Sequence, residues 1–192
     1  MLSGTEKYNR LKSLLPLQKY GQIFRLVDES DADFIFILRT DPKLSRYINK
    51  VSSNIIDQIR WITEYKNREL NGEEFYFISI NPETGERQGV SRIYNFRDDI
   101  YELGSWIYLP DTDISKSILG DIAVREIAYD YLQFNICTFE VKKENKTVIR
   151  YHMGYSPEKI GEDELNYYFR LTKFTFNNNK FKYLKIFGYG YD

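Results

Sequence analysis

The chemistry open to this chain is limited first by its single histidine, His152, and its single cysteine, Cys137. Cys137 stands in the strand-like run Ile136–Phe139 and is interpreted as a small buried hydrophobe rather than a nucleophile. One cysteine cannot form an intrachain disulfide, and one histidine with one cysteine gives no zinc-type spacing. The sequence therefore predicts no metal site.

Motifs of several other enzyme classes are missing from the sequence. A serine hydrolase triad would have to use His152, but no G-x-S-x-G elbow is present. No Walker-type loop and no G-x-G-x-x-G stretch occurs either. The usual glycine signatures of phosphate binding and of a serine nucleophile are therefore excluded.

Composition narrows the class of protein and its surroundings. The 192 residues carry 27 basic and 28 acidic side chains, and a net charge near zero argues against broad electrostatic capture of nucleic acid. The 17 tyrosines and 13 phenylalanines are read mainly as core and sheet packing. No signal peptide and no apolar run of membrane-spanning length is found, so we expect no membrane association and a cytoplasmic location.

Periodicity and turn residues predict the elements that must position any site. The predicted order is β-α-α-β-β-β-α-β-α-β, a mixed α/β layout with a central sheet and an antiparallel meander in its middle. The predicted strands are 22–27, 75–80, 89–94, 101–109, 137–141 and 167–172. The predicted helices are 31–39, a second ending near Leu70, a third from a cap at Ser115 or Ser117 to Leu132, and 145–152.

No linker or repeat interrupts the chain, so residues 1–192 are read as one domain. Residues 1–20 and 173–192 are treated as peripheral extensions, and the aromatic, lysine-rich tail is expected to add a strand or a packing arm. In such a sheet we expect a ligand where strands stop and a helix begins.

Three stretches carry a more specific pattern. Gly89–Asn95 is a glycine-led strand, and Glu102–Ile107 follows it with an acidic, apolar, glycine, aromatic order. Thr112–Ile118 leads into the long helix. Phe139–Tyr155 fits V-x-x-x-N-x-x-[AV]-I and ends in a glycine-aromatic pair.

With the predicted element order, these stretches resemble the GCN5-related N-acetyltransferase superfamily from about Phe24 to Leu171. The pattern looks most like the branch of ribosomal-protein and amino-sugar N-acetyltransferases. The resemblance implies an α/β (α+β) fold with about six to seven strands splayed around an acetyl-CoA site and about four flanking helices. It also implies acetyl-CoA as co-substrate and no metal.

The resemblance assigns the family's cofactor contacts to matching positions of this sequence. The resemblance implies that one strand lends backbone groups to the pantetheine arm and the thioester, and that the helix N-terminus after Pro110 faces the diphosphate through unsatisfied N–H groups. The glycines that the family usually has in that loop are replaced by other residues, mostly small. The implied cofactor-binding residues are Ser105, Trp106, Ile107, Tyr108, Thr112, Ser115, Lys116, Ser117, Ile118 and Asn145.

Acetyl transfer also needs a base, an acid and an oxyanion donor. Glu102 is the hypothesised general base, directly or through water, with Asp98 and Asp99 as rivals. His152 stands where the family often has a tyrosine that protonates the departing thiolate, and Tyr151 is its rival for that role. A backbone N–H near Trp106 or Ile107 is the expected oxyanion donor.

The acceptor is expected to be a small-molecule amine, and the preferred candidate is a nucleotide-linked amino sugar. Two alternatives stay open, a protein N-terminus and a catalytically inactive domain that binds acyl-CoA or a partner. A monomer or a homodimer is equally compatible with the sequence. The candidate acceptor-binding residues are Arg39, Arg46, Tyr47, Tyr94 and Asn95, with Trp61 nearby in the predicted second helix.

Overall fold

The computed structural model describes residues 1–190. The strands are β1 (Leu17–Lys19), β2 (Gln22–Leu26), β3 (Phe75–Ile80), β4 (Arg87–Arg97), β5 (Ile100–Tyr108), β6 (Ile136–Lys142), β7 (Glu158–Glu162) and β8 (Asn166–Thr172). The helices are α1 (Gly4–Leu14), α2 (Ala32–Thr40), α3 (Ile55–Leu70), α4 (Ile114–Glu126), α5 (Lys146–Met153) and α6 (Lys173–Ile186). A 3₁₀ turn (Glu29–Asp31) precedes α2, and a π-helical segment (Ile127–Tyr131) extends α4.

All eight strands form one sheet in the order β1-β2-β3-β4-β5-β6-β8-β7. Every neighbouring pair is antiparallel except β5 and β6, which run parallel. A parallel pair needs a crossover connection, and α4 with its π-helical extension supplies it. The crossover therefore places the N-terminus of α4 near the end of β5.

Two hydrophobic layers cover the two faces of this sheet. On one face, a cluster centred on α4 includes Ile122, Ile127 and Phe139. On the other face, α2 and α3 bury Ile35, Leu38 and Ile62 against β3 and β4. The alternation of strand residues fits this division, because successive side chains of a strand point to opposite faces.

The predicted fold class is confirmed, and the sheet is somewhat larger than expected. All six predicted strands and all four predicted helices are present, with ends shifted by a few residues. Within residues 1–190, the structure adds β1, β7, α1 and α6. Of the two expectations for the tail, the strand is wrong, because Lys173–Ile186 forms a helix. That helix buries Phe176 and Leu184 in the core, as a packing arm would. Residues 191–192 of the tail lie outside the described part.

Candidate active site

A cleft opens where β5 and β6 diverge. Their pairing runs from Ile100–Ile136 to Glu102–Thr138, after which β5 continues to Tyr108 and β6 to Lys142. The space between them is a cavity of about 430 Å³, here called the strand cleft. Its lining includes Leu103–Pro110 of β5 and the following turn, Thr112, Ile114, Ser117, Glu140–Lys142, Asn145, Val148, His152 and, from the segment after α2, Lys43, Leu44, Tyr47 and Ile48.

A β-bulge bends β5 at the mouth of this cleft. Val90 pairs with Ile107 and Arg92 with Gly104, so Ser105 and Trp106 together oppose one residue of β4. Ser105 has φ of 51°, in the left-handed region that a non-glycine residue rarely adopts. A bulge of this kind re-aims the backbone groups of the strand, so it can turn an N–H toward the cleft.

The first turn of α4 forms one end of the strand cleft. Asp113, rather than Ser115 or Ser117, is the N-cap, and its carboxylate accepts a hydrogen bond from the Ser115 N–H at 2.7 Å. Hydrogen bonding from the Ser115 hydroxyl, together with that from its N–H, lowers the pKa of Asp113. The indole Nε1 of Trp106 donates to the Ser117 carbonyl at 3.1 Å and so ties β5 to this turn. The helix N-terminus is positioned to receive an anion, but a carboxylate already occupies its cap.

The opposite wall of the strand cleft comes from β6 and α5. Asn145 caps α5, and its side-chain oxygen accepts a hydrogen bond from the Val148 N–H at 3.3 Å. Its amide nitrogen is therefore the atom that can donate to a ligand. His152 lies about two helical turns beyond Asn145 and lines the same wall.

His152 is held as a neutral ring. Only 5% of the residue is exposed, and its ring centroid lies 4.5 Å from that of Phe139 and 5.9 Å from that of Trp106. Burial, with the nearby positive charge of Arg125, lowers its pKa from 6.5 to about 3. Among residues 1–190, its Nδ1 has no hydrogen-bond partner. At neutral pH the imidazole can donate one N–H but carries no imidazolium proton.

Tyr151 points away from the strand cleft. Its hydroxyl donates to the Asp121 carboxylate at 2.7 Å and lies 2.9 Å from the Tyr155 hydroxyl. Burial and the charge of Asp121 raise the pKa of Tyr151 well above its ordinary value. Of the two adjacent candidates for the acid, His152 faces the cleft.

Behind this wall, α4 carries a fully buried ion pair. Arg125 Nε donates to Asp121 Oδ2 at 2.9 Å, and both side chains are 0% exposed. Arg125 also donates to Cys137 Sγ at 3.2 Å and packs over the Phe139 ring. Burial raises the pKa of the Cys137 thiol, which confirms the interpretation of this residue as an unreactive core side chain.

Two carboxylates lie on the other face of the diverging strands. The Glu102 carboxylate accepts hydrogen bonds from the Tyr94 hydroxyl at 2.7 Å and the Asn95 amide at 2.9 Å. Glu140 stands two residues beyond Thr138, the β6 partner of Glu102. Partial burial, the negative charge of Glu102 and that of Asp163 raise the pKa of Glu140.

A second cavity of about 250 Å³ adjoins the strand cleft and is here called the junction cavity. Seven residues line both spaces: Tyr47, Ile48, Leu103, Gly104, Ser105, Glu140 and Lys142. The junction cavity is completed by Arg39, Asn49, Arg92, Tyr94 and Asn166. Glu140 therefore stands at the boundary between the two spaces.

The structure brings most of the predicted site residues together. Lining the strand cleft are Ser105, Trp106, Ile107, Tyr108, Thr112, Ser117, Asn145 and His152. Lining the junction cavity are Arg39, Tyr47 and Tyr94. Glu102 and Asn95 line neither space. The Glu102 carboxylate accepts a hydrogen bond from Tyr94, which lines the junction cavity, and another from Asn95.

Four further candidate residues line neither the strand cleft nor the junction cavity. The Lys116 ammonium donates to the Gly21 carbonyl at 3.1 Å, on the other side of the loop. Ser115 donates its N–H to Asp113, and Ile118 packs against the core cluster under α4. The Arg46 guanidinium stacks 5.0 Å from the centroid of the Tyr47 ring.

Sequence reasoning missed Glu140 and Arg92. A usable signal for Glu140 was present, since Cys137, Phe139 and Val141 are apolar and the alternate residues of the same strand must face the other side of the sheet. No comparable signal marks Arg92, whose position depends on β4 lying beneath α3.

Metal-binding clusters and membrane-spanning helices are both absent from residues 1–190. No group of three His, Cys, Asp or Glu side chains in this part of the chain could hold a metal ion. None of the helices described there is long and apolar enough to cross a membrane.

A parallel strand pair that splays beside a helix N-terminus, with an adjoining cavity, is the arrangement that the sequence resemblance to acyl-CoA-dependent transferases predicts. The family model described as an acetyltransferase (GNAT) domain matches residues 23–154. The chain therefore belongs to the GNAT acetyltransferases, and it is an N-acetyltransferase with acetyl-CoA as acyl donor.

Solved structures of acetyltransferases are similar to this chain. The comparison with curated protein sequences found no match. Apo FdhC, described as a nucleotide-linked sugar GNAT, is 35% identical with a TM-score of 0.80, over 91% of this chain and 99% of that one. Mycobacterium smegmatis RimJ in complex with CoA-disulfide is 13% identical with a TM-score of 0.71, over 87% and 89% of the two chains. Spermidine N-acetyltransferase from Vibrio cholerae, with CoA and spermine, is 12% identical with a TM-score of 0.71, over 83% and 100%. The last two show the fold alone.

Proposed function

We propose that the chain transfers the acetyl group of acetyl-CoA to the amino group of a nucleotide-linked amino sugar. The observation that carries this proposal is the 35% identity with FdhC over 91% of the chain, because FdhC is described as a nucleotide-linked sugar GNAT. The junction cavity supports it, since its lining combines Arg39, Lys142 and Asn166 with the Tyr94 ring, groups suited to a hydroxyl-bearing ring linked to phosphate.

The strand cleft fits the donor. The edge of β5 beyond Glu102 is not paired with β6 and can bond the pantetheine arm as an added strand would. The first turn of α4 would face the diphosphate, and the Asn145 amide would reach the arm from the opposite wall. Acetyl-CoA supplies an activated acyl group as a thioester, and the protein contributes orientation, proton removal and charge stabilisation.

Glu140 is the proposed general base. An ammonium must lose a proton before it can attack, and Glu140 lies where the strand cleft and the junction cavity meet. The neighbouring Glu102 charge raises the pKa of Glu140 and so makes its carboxylate a better base. Glu102, the base predicted from sequence, is then the second carboxylate of a pair, oriented by Tyr94 and Asn95.

Two other groups complete the proposed mechanism. A backbone N–H of the bulge at Ser105 and Trp106 would donate to the oxygen that becomes negative during attack. His152, neutral in its buried setting, would donate a ring N–H toward the departing sulfur rather than deliver an imidazolium proton. In this proposal His152 keeps the place of the acid predicted from sequence, but it acts as a neutral hydrogen-bond donor instead of an imidazolium.

A thiol-release assay tests the proposal. The purified chain is mixed with acetyl-CoA and, in separate arms, nucleotide-linked amino sugars, the free amino sugars, N-terminal peptides of ribosomal proteins, and spermidine. We expect turnover with nucleotide-linked amino sugars and at least about a hundredfold lower kcat/KM with the free sugars, because the contacts to the nucleotide are lost. Turnover with peptides or spermidine alone would contradict the proposed acceptor.

A further inference from the structure

A third space lies beyond the junction cavity and is here called the aromatic cavity. It has a volume of about 250 Å³ and is lined by Ile35, Arg39, Val51, Ser52, Asp57, Gln58, Trp61, Tyr76 and Arg92. Two aromatic rings, Trp61 and Tyr76, contribute to its walls, and the polar groups among the lining residues include the Gln58 amide and the Asp57 carboxylate. Arg39 and Arg92 line both this cavity and the junction cavity, so they form the boundary between the two.

Two buried polar atoms of this boundary lack a partner. Within residues 1–190, neither the Tyr76 hydroxyl nor Arg39 Nε makes a hydrogen bond of good geometry. Tyr76 is 0% exposed, and burial raises its pKa although Arg39 lies nearby. A buried polar group without a hydrogen bond costs about 1–3 kcal/mol. Both groups are therefore available to bond a ligand that enters the cavity.

The two arginines differ in charge compensation. Arg92 pairs with the buried carboxylate of Glu74. Arg39 instead donates to two uncharged oxygens, Ser105 Oγ at 3.0 Å and the Asn49 carbonyl at 3.3 Å. Its guanidinium therefore keeps its positive charge at the boundary, and a guanidinium suits the planar, two-point recognition of phosphate.

We infer that the aromatic cavity binds the nucleoside of the acceptor, with the diphosphate at Arg39 and the amino sugar in the junction cavity. This inference rests on the proposed function and assigns each part of the substrate to a place. The order of the spaces matches the order of the ligand: the amine meets Glu140, the sugar fills the polar cavity, the diphosphate crosses the cationic boundary, and the base enters between aromatic walls. The Gln58 amide and the Tyr76 hydroxyl are the groups placed to hydrogen-bond the base.

The chain offers a direct optical test because it has two tryptophans, one at each site. Trp61 lines the aromatic cavity and Trp106 lines the strand cleft. Trp106→Phe leaves Trp61 as the reporter, and Trp61→Phe leaves Trp106. Each variant is titrated with UDP, dTDP, CDP, GDP and ADP, and separately with CoA.

At least one nucleoside diphosphate should change Trp61 emission saturably, and saturating CoA should not displace it. CoA should change the emission of Trp106. If no nucleoside diphosphate perturbs Trp61, or if CoA competes with the one that does, the assignment of the cavity is wrong.

A matched pair of tyrosine variants tests the contact itself. Tyr76→Phe and Tyr101→Phe each remove one fully buried hydroxyl without a partner in residues 1–190, but Tyr101 lies in the cluster under α4. Tyr76→Phe should raise the Kd of the binding nucleoside diphosphate about three- to tenfold, as expected for one hydrogen bond. Tyr101→Phe should leave it unchanged, and the Kd of CoA should be unchanged in both. Equal nucleotide affinity in the two variants would overturn the inference.

The outcomes separate this inference from the proposed function. Turnover of a nucleotide-linked amino sugar that free nucleoside diphosphates do not inhibit would keep the function and reject the cavity. A nucleoside diphosphate bound at Trp61, with no amino sugar acetylated, would keep the cavity and reject the function.

Discussion

The strand cleft and the aromatic cavity are built from different parts of the polypeptide. The strand cleft follows from two parallel strands that separate after Glu102 and Thr138, so backbone geometry makes it. The aromatic cavity is assembled from side chains of α2, α3, β3, β4 and the segment between the helices. We therefore expect the proposed donor site to tolerate changes of side chain better than the proposed acceptor site, whose lining residues are far apart in sequence.

The largest expected effect tests Glu140, which stands where the strand cleft meets the junction cavity. Glu140→Gln should lower kcat by about a hundredfold to ten-thousandfold with little change in the KM of acetyl-CoA, because it removes the proposed base and leaves the strand cleft intact. Steady-state kinetics with the best acceptor measures it. Normal turnover of this variant would return the role to Glu102.

Glu102→Gln is the matched control for that experiment. Because the Glu102 charge raises the pKa of Glu140, its removal should lower that pKa. The acidic limb of the kcat/KM profile should then shift to lower pH, with a smaller loss of rate near neutrality. An unshifted acidic limb would contradict the pairing of the two carboxylates.

Substitution of the buried ion pair behind the strand cleft should lower the free energy of unfolding substantially. Asp121→Leu leaves the fully buried Arg125 without its carboxylate and should cost about 3–5 kcal/mol of unfolding free energy. Urea denaturation measures the loss. The double variant Asp121→Leu with Arg125→Met should regain most of it, since apolar replacement of a buried pair is often neutral. A double variant less stable than the single one would refute this account.

His152 should make the free energy of unfolding depend on pH. The unfolded chain takes up a proton near pH 6.5, whereas the folded chain resists protonation until about pH 3. Stability from this residue is complete above pH 6.5 and should fall by roughly 1–2 kcal/mol for each pH unit below it.

The sole histidine makes this measurable, because its ring protons give one titrating set of NMR signals. Urea denaturation at pH 7, 6 and 5 should show a steeper loss for the native chain than for His152→Phe. A His152 pKa near 6.5 in the folded chain would contradict the neutral role proposed above.

The smallest expected effect concerns the cap of α4. Asp113→Asn keeps a good N-cap but removes a negative charge from the helix N-terminus that would face the diphosphate. The KM of acetyl-CoA should fall about two- to fivefold, while the KM of the acceptor stays unchanged. Asp111→Asn, in the same loop outside the cap, is the control. A higher KM for acetyl-CoA in Asp113→Asn would show that the carboxylate helps the donor site.

The order of the six predicted strands and four predicted helices could be read from the sequence. The apolar run Phe75–Ile80 and the amphipathic pattern ending at Leu70 are local features, which the printed residues contain. Strands β1 and β7 were missed because they are short or exposed, with β7 reading Glu-Lys-Ile-Gly-Glu. The helix α6 was missed because its aromatic residues are spread around the helix rather than along one face.

The cap of α4 shows the limit of local rules. Asp113, Ser115 and Ser117 are all acceptable N-cap residues, and only the backbone conformation at Asp113 selects one. The π-helical segment after Glu126 likewise follows from how the helix returns to the sheet.

The sequence by itself determined the strand and helix order, the neutral balance of charge and the motif that ends at the glycine-aromatic pair, because these depend on neighbours along the chain. Only the tertiary structure decided that Glu140 stands between two spaces, that Arg39 donates to uncharged oxygens at its cavity, and that His152 is neutral. Those properties depend on burial and on charges from distant segments, and a pKa or a cavity exists only once those segments are packed together.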